Sequence, residues 1–145
     1  MSPQEPVMKT LTPNVMVDSV KETVAFYEAH FGFEVTMAVP ASEDNIRTNL
    51  ETDEEIVYTL LERDGVEIMF QEAESLRSDV PAFSDSAVGG SVCLYIEVED
   101  IEAFYESLAD DVEVVTELNT TWYGMTECYV RDINGYILGF AEETQ

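Results

Sequence analysis

Val20-Lys21-Glu22-Thr23-Val24-Ala25-Phe26-Tyr27-Glu28-Ala29-His30-Phe31-Gly32-Phe33 is the stretch that decides the fold. Its centre, Ala25-Phe26-Tyr27-Glu28, returns as Ala103-Phe104-Tyr105-Glu106, about half of the 145-residue chain away. Each copy sits in an amphipathic helical stretch that follows a β-like run. Each is followed, further on, by an Asp-Gly or Asn-Gly hairpin signal. Four identical residues arise by chance; the matching contexts on both sides make them a tandem repeat of one supersecondary unit.

Working outward, Val20, Val24, Tyr27 and Phe31 fall on one helical stripe. Ser19 and Glu22 have capping-box spacing before it, and Gly32 is its expected C-cap. A first strand runs from near Thr10 to Val17, and a second from Phe33 to Val39, stopped by Pro40. Residues 41–55 are acidic, lack periodicity and read as a loop or flap. Ile56 to Glu62 and Val66 to Glu72 are strands joined at Arg63-Asp64-Gly65. Ala73 to Gly90, with Pro81 and Gly89-Gly90, reads as a connector. The second half repeats the order. Ser91 to Val98 is a strand, Asp100 an N-cap, and Ile101, Phe104, Tyr105 and Leu108 a helical stripe. Val112 to Leu118, Met125 to Arg131 and Tyr136 to Glu142 are strands, with a loop over Asn119 to Gly124. The fold class is thus α+β: two βαβββ modules, about 10–72 and 91–143, in a single domain. Placed edge to edge, their curved sheets form a cup with helices outside and a ligand pocket inside.

Asp plus Glu total 31 against 6 Lys plus Arg, a formal net charge of −25. Such a surface repels phosphate backbones and anionic lipid, which excludes nucleic acid and membranes as partners. The acids are spread along the whole chain, so most of the charge reads as a solvated surface suited to high salt. An acidic cleft for a cationic ligand is the sharper alternative. No apolar run reaches the ~18 residues of a membrane span. The N-terminus lacks a signal-peptide pattern, so a cytoplasmic location is expected. Cys93 and Cys128 lie in β-like runs and are expected to be buried apolar residues, not a disulfide.

Val24-Ala25-Phe26-Tyr27 leading to Phe31-Gly32-Phe33, Ile96-Glu97-Val98-Glu99-Asp100, and the closing run from Trp122-Tyr123-Gly124 to Asp132-Ile133-Asn134-Gly135 carry a family resemblance. Over about Leu11 to Glu143 the chain resembles the vicinal-oxygen-chelate superfamily, also called the glyoxalase, bleomycin-resistance and extradiol-dioxygenase superfamily. The closing run looks most like the bleomycin-resistance branch. In metal-dependent members four strands supply His or Gln, Glu, His and Glu to one ion. Carried over by counting from the shared motifs, those positions fall near Thr12, Glu67, Cys93 and Gly139. Only Glu67 is an ordinary ligand, and the one histidine, His30, lies in the first helix. The resemblance therefore implies no catalytic residue, no metal and no other cofactor. The alternative is a divalent-metal-dependent lyase, isomerase or dioxygenase using Glu67 within an atypical ligand set.

The bleomycin-resistance branch works by binding: acidic homodimers sequester a cationic, flat-ringed drug. The resemblance thus implies a homodimer that captures a small cationic or amphipathic molecule. Stacking faces and carboxylates are what such a ligand needs. Trp122 and Tyr123 lie in the loop where that branch carries an aromatic; Trp122 serves equally well as interface cover or as a plug. Alternation along strands places Glu67, Met69 and Gln71 on one face, and Cys93, Tyr95 and Glu97 on another. Glu127 needs a partner if buried, because it is a carboxylate between apolar Met125 and Tyr129. Those two neighbours read as core filler. The candidate ligand-binding set is Glu67, Met69, Cys93, Tyr95, Trp122, Tyr123 and Glu127.

Overall fold

A computed structural model describes residues 6–144. Ser19 starts the first helix, α1 (Val20–Phe31), by accepting a hydrogen bond from the Glu22 amide at 3.2 Å. Gly32 ends it at φ +69°, a left-handed conformation that glycine adopts without steric cost. The expected stripe is the core: Val20, Val24, Tyr27 and Phe31 are all at most 1% exposed.

Around this helix the chain forms two four-stranded mixed sheets. In the first, β1 (Asn14–Val17) pairs in parallel with β4 (Val66–Glu72), and β3 (Ile56–Arg63) and β2 (Glu34–Pro40) follow antiparallel, giving the order β1-β4-β3-β2. The second repeats this with β5 (Cys93–Glu97), β8 (Ile137–Glu143), β7 (Met125–Arg131) and β6 (Glu113–Thr120), in the order β5-β8-β7-β6. The second helix of the repeat, α3 (Ile101–Ser107), starts at Asp100, whose carboxylate accepts from the Ala103 amide. The repeat inferred from the tetrapeptide is therefore a repeat of β-α-β-β-β.

One core joins the halves. The Tyr27 ring lies 4.7 Å from that of Phe70 on β4, while its hydroxyl donates to Asp132 Oδ2 at 2.6 Å in the β7–β8 turn. Phe31 packs 5.3 Å from Phe140 on β8, and Phe140 packs 4.4 Å from Phe104 on α3. The Tyr136 hydroxyl donates to the Met16 carbonyl at 2.6 Å, and the Asn134 amide to Thr23 Oγ1 at 3.0 Å. So α1 packs on both sheets, and the helix-facing sides of the sheets turn toward one another. The other side of each sheet points away from this core. No strand of one sheet pairs with a strand of the other among the described residues, so the cup is not closed within one chain.

Three expectations change. The segment from Ala73 is not a plain connector: it carries a helix, α2 (Ala73–Asp79), and a 3-10 turn at Pro81–Phe83. The Glu72 carboxylate accepts from the Ser75 and Glu74 amides, and Ala73 and Leu76 bury against Met16. The first strand begins at Asn14 rather than near Thr10, directly after Pro13, which has no N–H to give a sheet. Cys128 is buried as expected, but Cys93 is exposed, because it lies on the outward side of β5. Residues 41–55 form the expected loop, pinned by an Ala38–Arg47 bridge and by Lys21 donating to the Thr52 carbonyl at 2.6 Å.

Candidate functional site

Strand register gathers the site. Tyr95 on β5 pairs with Gly139 on β8, which pairs with Tyr129 on β7. Two residues on, Glu97, Ala141 and Glu127 form the adjacent row. Side chains alternate along each strand, so both rows lie on the outward side, opposite Leu138 and Phe140. At the centre is Glu127, 4% exposed. Its Oε2 accepts from the Tyr95 hydroxyl at 2.6 Å, and its Oε1 accepts from Tyr123 at 2.5 Å and Tyr129 at 3.3 Å. Gly139 permits this assembly: a Cβ there would lie 2.7 Å from Tyr129 Cε1 and 3.1 Å from Tyr95 Cδ1.

The charges follow from the geometry. Burial pushes the Glu127 carboxyl up, but the three phenol hydrogen bonds outweigh it and hold the group below the usual carboxylate range. In return the Tyr95 hydroxyl is raised, first by its bond to Glu127 and then by burial. The same two causes raise Tyr123. Burial and the Glu127 charge push Tyr129 up to about 12. At neutral pH the cluster is one carboxylate held by three neutral phenols. Among the described residues no Lys, Arg or His forms an ion pair with it.

Of the residues singled out from sequence, Cys93, Tyr95, Tyr123 and Glu127 share this outward surface. Trp122, 95% exposed, stands beside it with its ring 5.5 Å from that of Tyr123. The Cys93 thiol is raised by burial. Glu67 and Met69 are not brought here: they lie on β4, on the outward side of the other sheet. Gln71, on their face, is buried and tied to Asn14, Ser75 and Asp79. Tyr129, read from sequence as filler, belongs to the cluster. Its spacing of two from Glu127 placed both on one face, and that was the available signal. His30 sits in the last turn of α1 against Phe26, with Nε2 3.7 Å from the exposed Asp111 carboxylate.

A cleft of about 750 Å³ lies elsewhere, along the seam between Phe31, Phe33, Phe104 and Phe140. None of Cys93, Tyr95, Tyr123 or Glu127 lines it. Volume alone does not make a site, and the outward surface around Glu127 holds a buried carboxylate bonded by three phenols.

Residues 9–140 match the model of the Glyoxalase/Bleomycin resistance protein/Dioxygenase superfamily. The chain belongs to this superfamily. Solved structures agree on the fold. TioX from Micromonospora sp. ML1 is 17% identical with a TM-score of 0.69, over 94% of this chain and 99% of its own. A protein of unknown function from Agrobacterium tumefaciens str. C58 is 19% identical with a TM-score of 0.70, over 96% and 97%. A glyoxalase/bleomycin resistance protein/dioxygenase family enzyme from Burkholderia phytofirmans PsJN is 15% identical with a TM-score of 0.66, over 90% and 94%. A comparison with curated proteins returned no match.

Superfamily membership raises the question of a metal, and within one chain the residues at the carried-over positions do not gather into a ligand set. Of the carried-over positions, Glu67 and Cys93 lie on different sheets. Gly139 has no side chain, and the space a ligand would project into is filled by the Tyr129 and Tyr95 rings. Among the described residues, no group of three or more His, Cys, Asp or Glu is placed to hold an ion. Also among the described residues, no helix is long and apolar enough to cross a membrane.

Proposed function

We propose that this superfamily member captures a small cation-bearing molecule by non-covalent binding, on the outward surface formed by Glu127, Tyr95, Tyr123 and Trp122. One observation carries the reading: Glu127 is a buried carboxylate, fixed by three phenols, with no cationic side chain paired to it. A charge buried this far is costly unless something offsets it. The phenols more than offset that cost, so the carboxylate stays charged at neutral pH and its field is available to a positive ligand.

Binding suits the cluster better than proton transfer. A general base works best with a pKa near the operating pH. Here the carboxyl is lowered and the phenols are raised, so all move away from neutrality. The exposed Trp122 and Tyr123 rings supply stacking faces for the body of the ligand. The surface is open on one side, and a second copy of the chain would close it. In such a homodimer the outward side of the first sheet, with Glu67 and Met69, faces the outward side of its partner's second sheet. The separated halves of the sequence-derived site then meet across two chains.

The test is a titration of cationic aromatic molecules followed by fluorescence of Trp122, the only tryptophan. Saturable quenching by cations that is lost in Glu127→Gln supports the reading. Saturation unaffected by that substitution refutes it. A stoichiometric metal ion lost on Glu67→Ala would overturn it in favour of a metal-dependent activity.

A further inference from the structure

We propose that the Glu127 site is built for a cation that carries N–H donors, such as a protonated amine, amidinium or guanidinium, and selects against a quaternary ammonium of similar size. This rests on the preceding reading and sharpens it.

The argument is an inventory of protons. A phenol has one O–H and two acceptor lone pairs. Tyr95, Tyr123 and Tyr129 each direct that single O–H at Glu127. Away from Glu127, their oxygens therefore present lone pairs only. Glu127, ionised, is itself acceptor-only, with about four lone-pair positions of which three are taken. The free one is on Oε2, which receives only Tyr95. Four side chains thus make one continuous acceptor surface carrying a negative charge and no donor.

This surface sorts ligands by headgroup. A ligand carboxylate, phosphate or carbonyl meets negative charge and finds no hydrogen to accept from these four side chains. Turning a phenol outward to serve it would strip a hydrogen bond from a buried carboxylate, the most expensive kind to lose. A quaternary ammonium gains the field and the ring faces. It also covers the phenol oxygens and the free Oε2 position without giving them a hydrogen, so those atoms lose water and gain nothing. A headgroup with N–H bonds gains the same field and satisfies the same atoms. Gly139 permits the arrangement by letting the Tyr95 and Tyr129 rings lie against the sheet.

One scaffold with three headgroups tests the idea on the unaltered protein: benzylamine, benzyltrimethylammonium and benzyl alcohol, titrated by calorimetry near neutral pH. Fragments of this size bind at about millimolar concentration. The expected result is at least ten-fold tighter binding of benzylammonium than of its trimethyl analogue, with benzyl alcohol weakest. Equal or tighter binding of the trimethyl compound overturns this inference and leaves cation capture standing. Benzyl alcohol equal to benzylammonium, or no saturable heat from any of the three, overturns cation capture itself.

Discussion

Substituting Gly139 by alanine probes the site without touching a charged group. The added Cβ would stand 2.7 Å from Tyr129 Cε1, 3.1 Å from Tyr129 Cδ1 and 3.1 Å from Tyr95 Cδ1. Carbon atoms rest about 3.5–4.0 Å apart, so the Tyr129 ring must withdraw by about 1 Å. Its bond to Glu127, already 3.3 Å, does not survive that movement. Overpacking of this kind costs about 1–3 kcal/mol. Backbone restriction of the unfolded chain returns about 0.4–1 kcal/mol, because the Gly139 φ lies outside the left-handed region. The net expectation is a loss of about 1–2 kcal/mol, measured by urea unfolding. The decisive control is Tyr129→Leu. With the ring gone, Gly139→Ala should become neutral or mildly stabilising. A coupling energy below about 0.5 kcal/mol between the two substitutions would mean that the rings do not rest on Gly139.

Glu127 supplies a pH prediction. Its folded pKa is lowered from 4.5, so its contribution is complete above the unfolded value and is lost as pH falls through the folded one. The stability advantage of the parent over Glu127→Gln should therefore be constant near neutrality and shrink below about pH 4.5; a difference that is flat with pH would contradict the hydrogen-bond assignment. Tyr27→Phe removes the 2.6 Å bond to buried Asp132 and should cost about 1.5–3 kcal/mol while leaving titrations at the Glu127 site unchanged. Unaltered denaturation midpoints would show that this contact does not join the halves. With a net charge of −25, the melting temperature should rise from low to molar salt, and equal values would speak against self-repulsion.

What could be read from the sequence was what depends on near neighbours. The stripe Val20, Val24, Tyr27, Phe31 and its caps gave α1, and the turn at Arg63-Asp64-Gly65 gave the β3–β4 hairpin. Glu127 stood out because it is a carboxylate between apolar neighbours. The missed helix α2 has only Ala73 and Leu76 as an apolar face and is capped by a glutamate, so no periodicity announced it. The role of Tyr129 depends on its being level with Gly139 and Tyr95, which is a matter of cross-strand register. No spacing along one strand contains that information. Equally, the contact of α1 with both sheets rests on Tyr27 meeting Asp132 and Phe31 meeting Phe140, pairs that only the folded chain brings together.

The shared helix has a further consequence. Twin halves suggest two interchangeable parts, yet α1 has 12 residues and α3 only 7. The longer one braces both sheets, and the shorter one serves its own. A division of labour has replaced the symmetry of the repeat. A fragment ending at the connector would keep the long helix without its second load, and the remaining fragment would keep only its own short one.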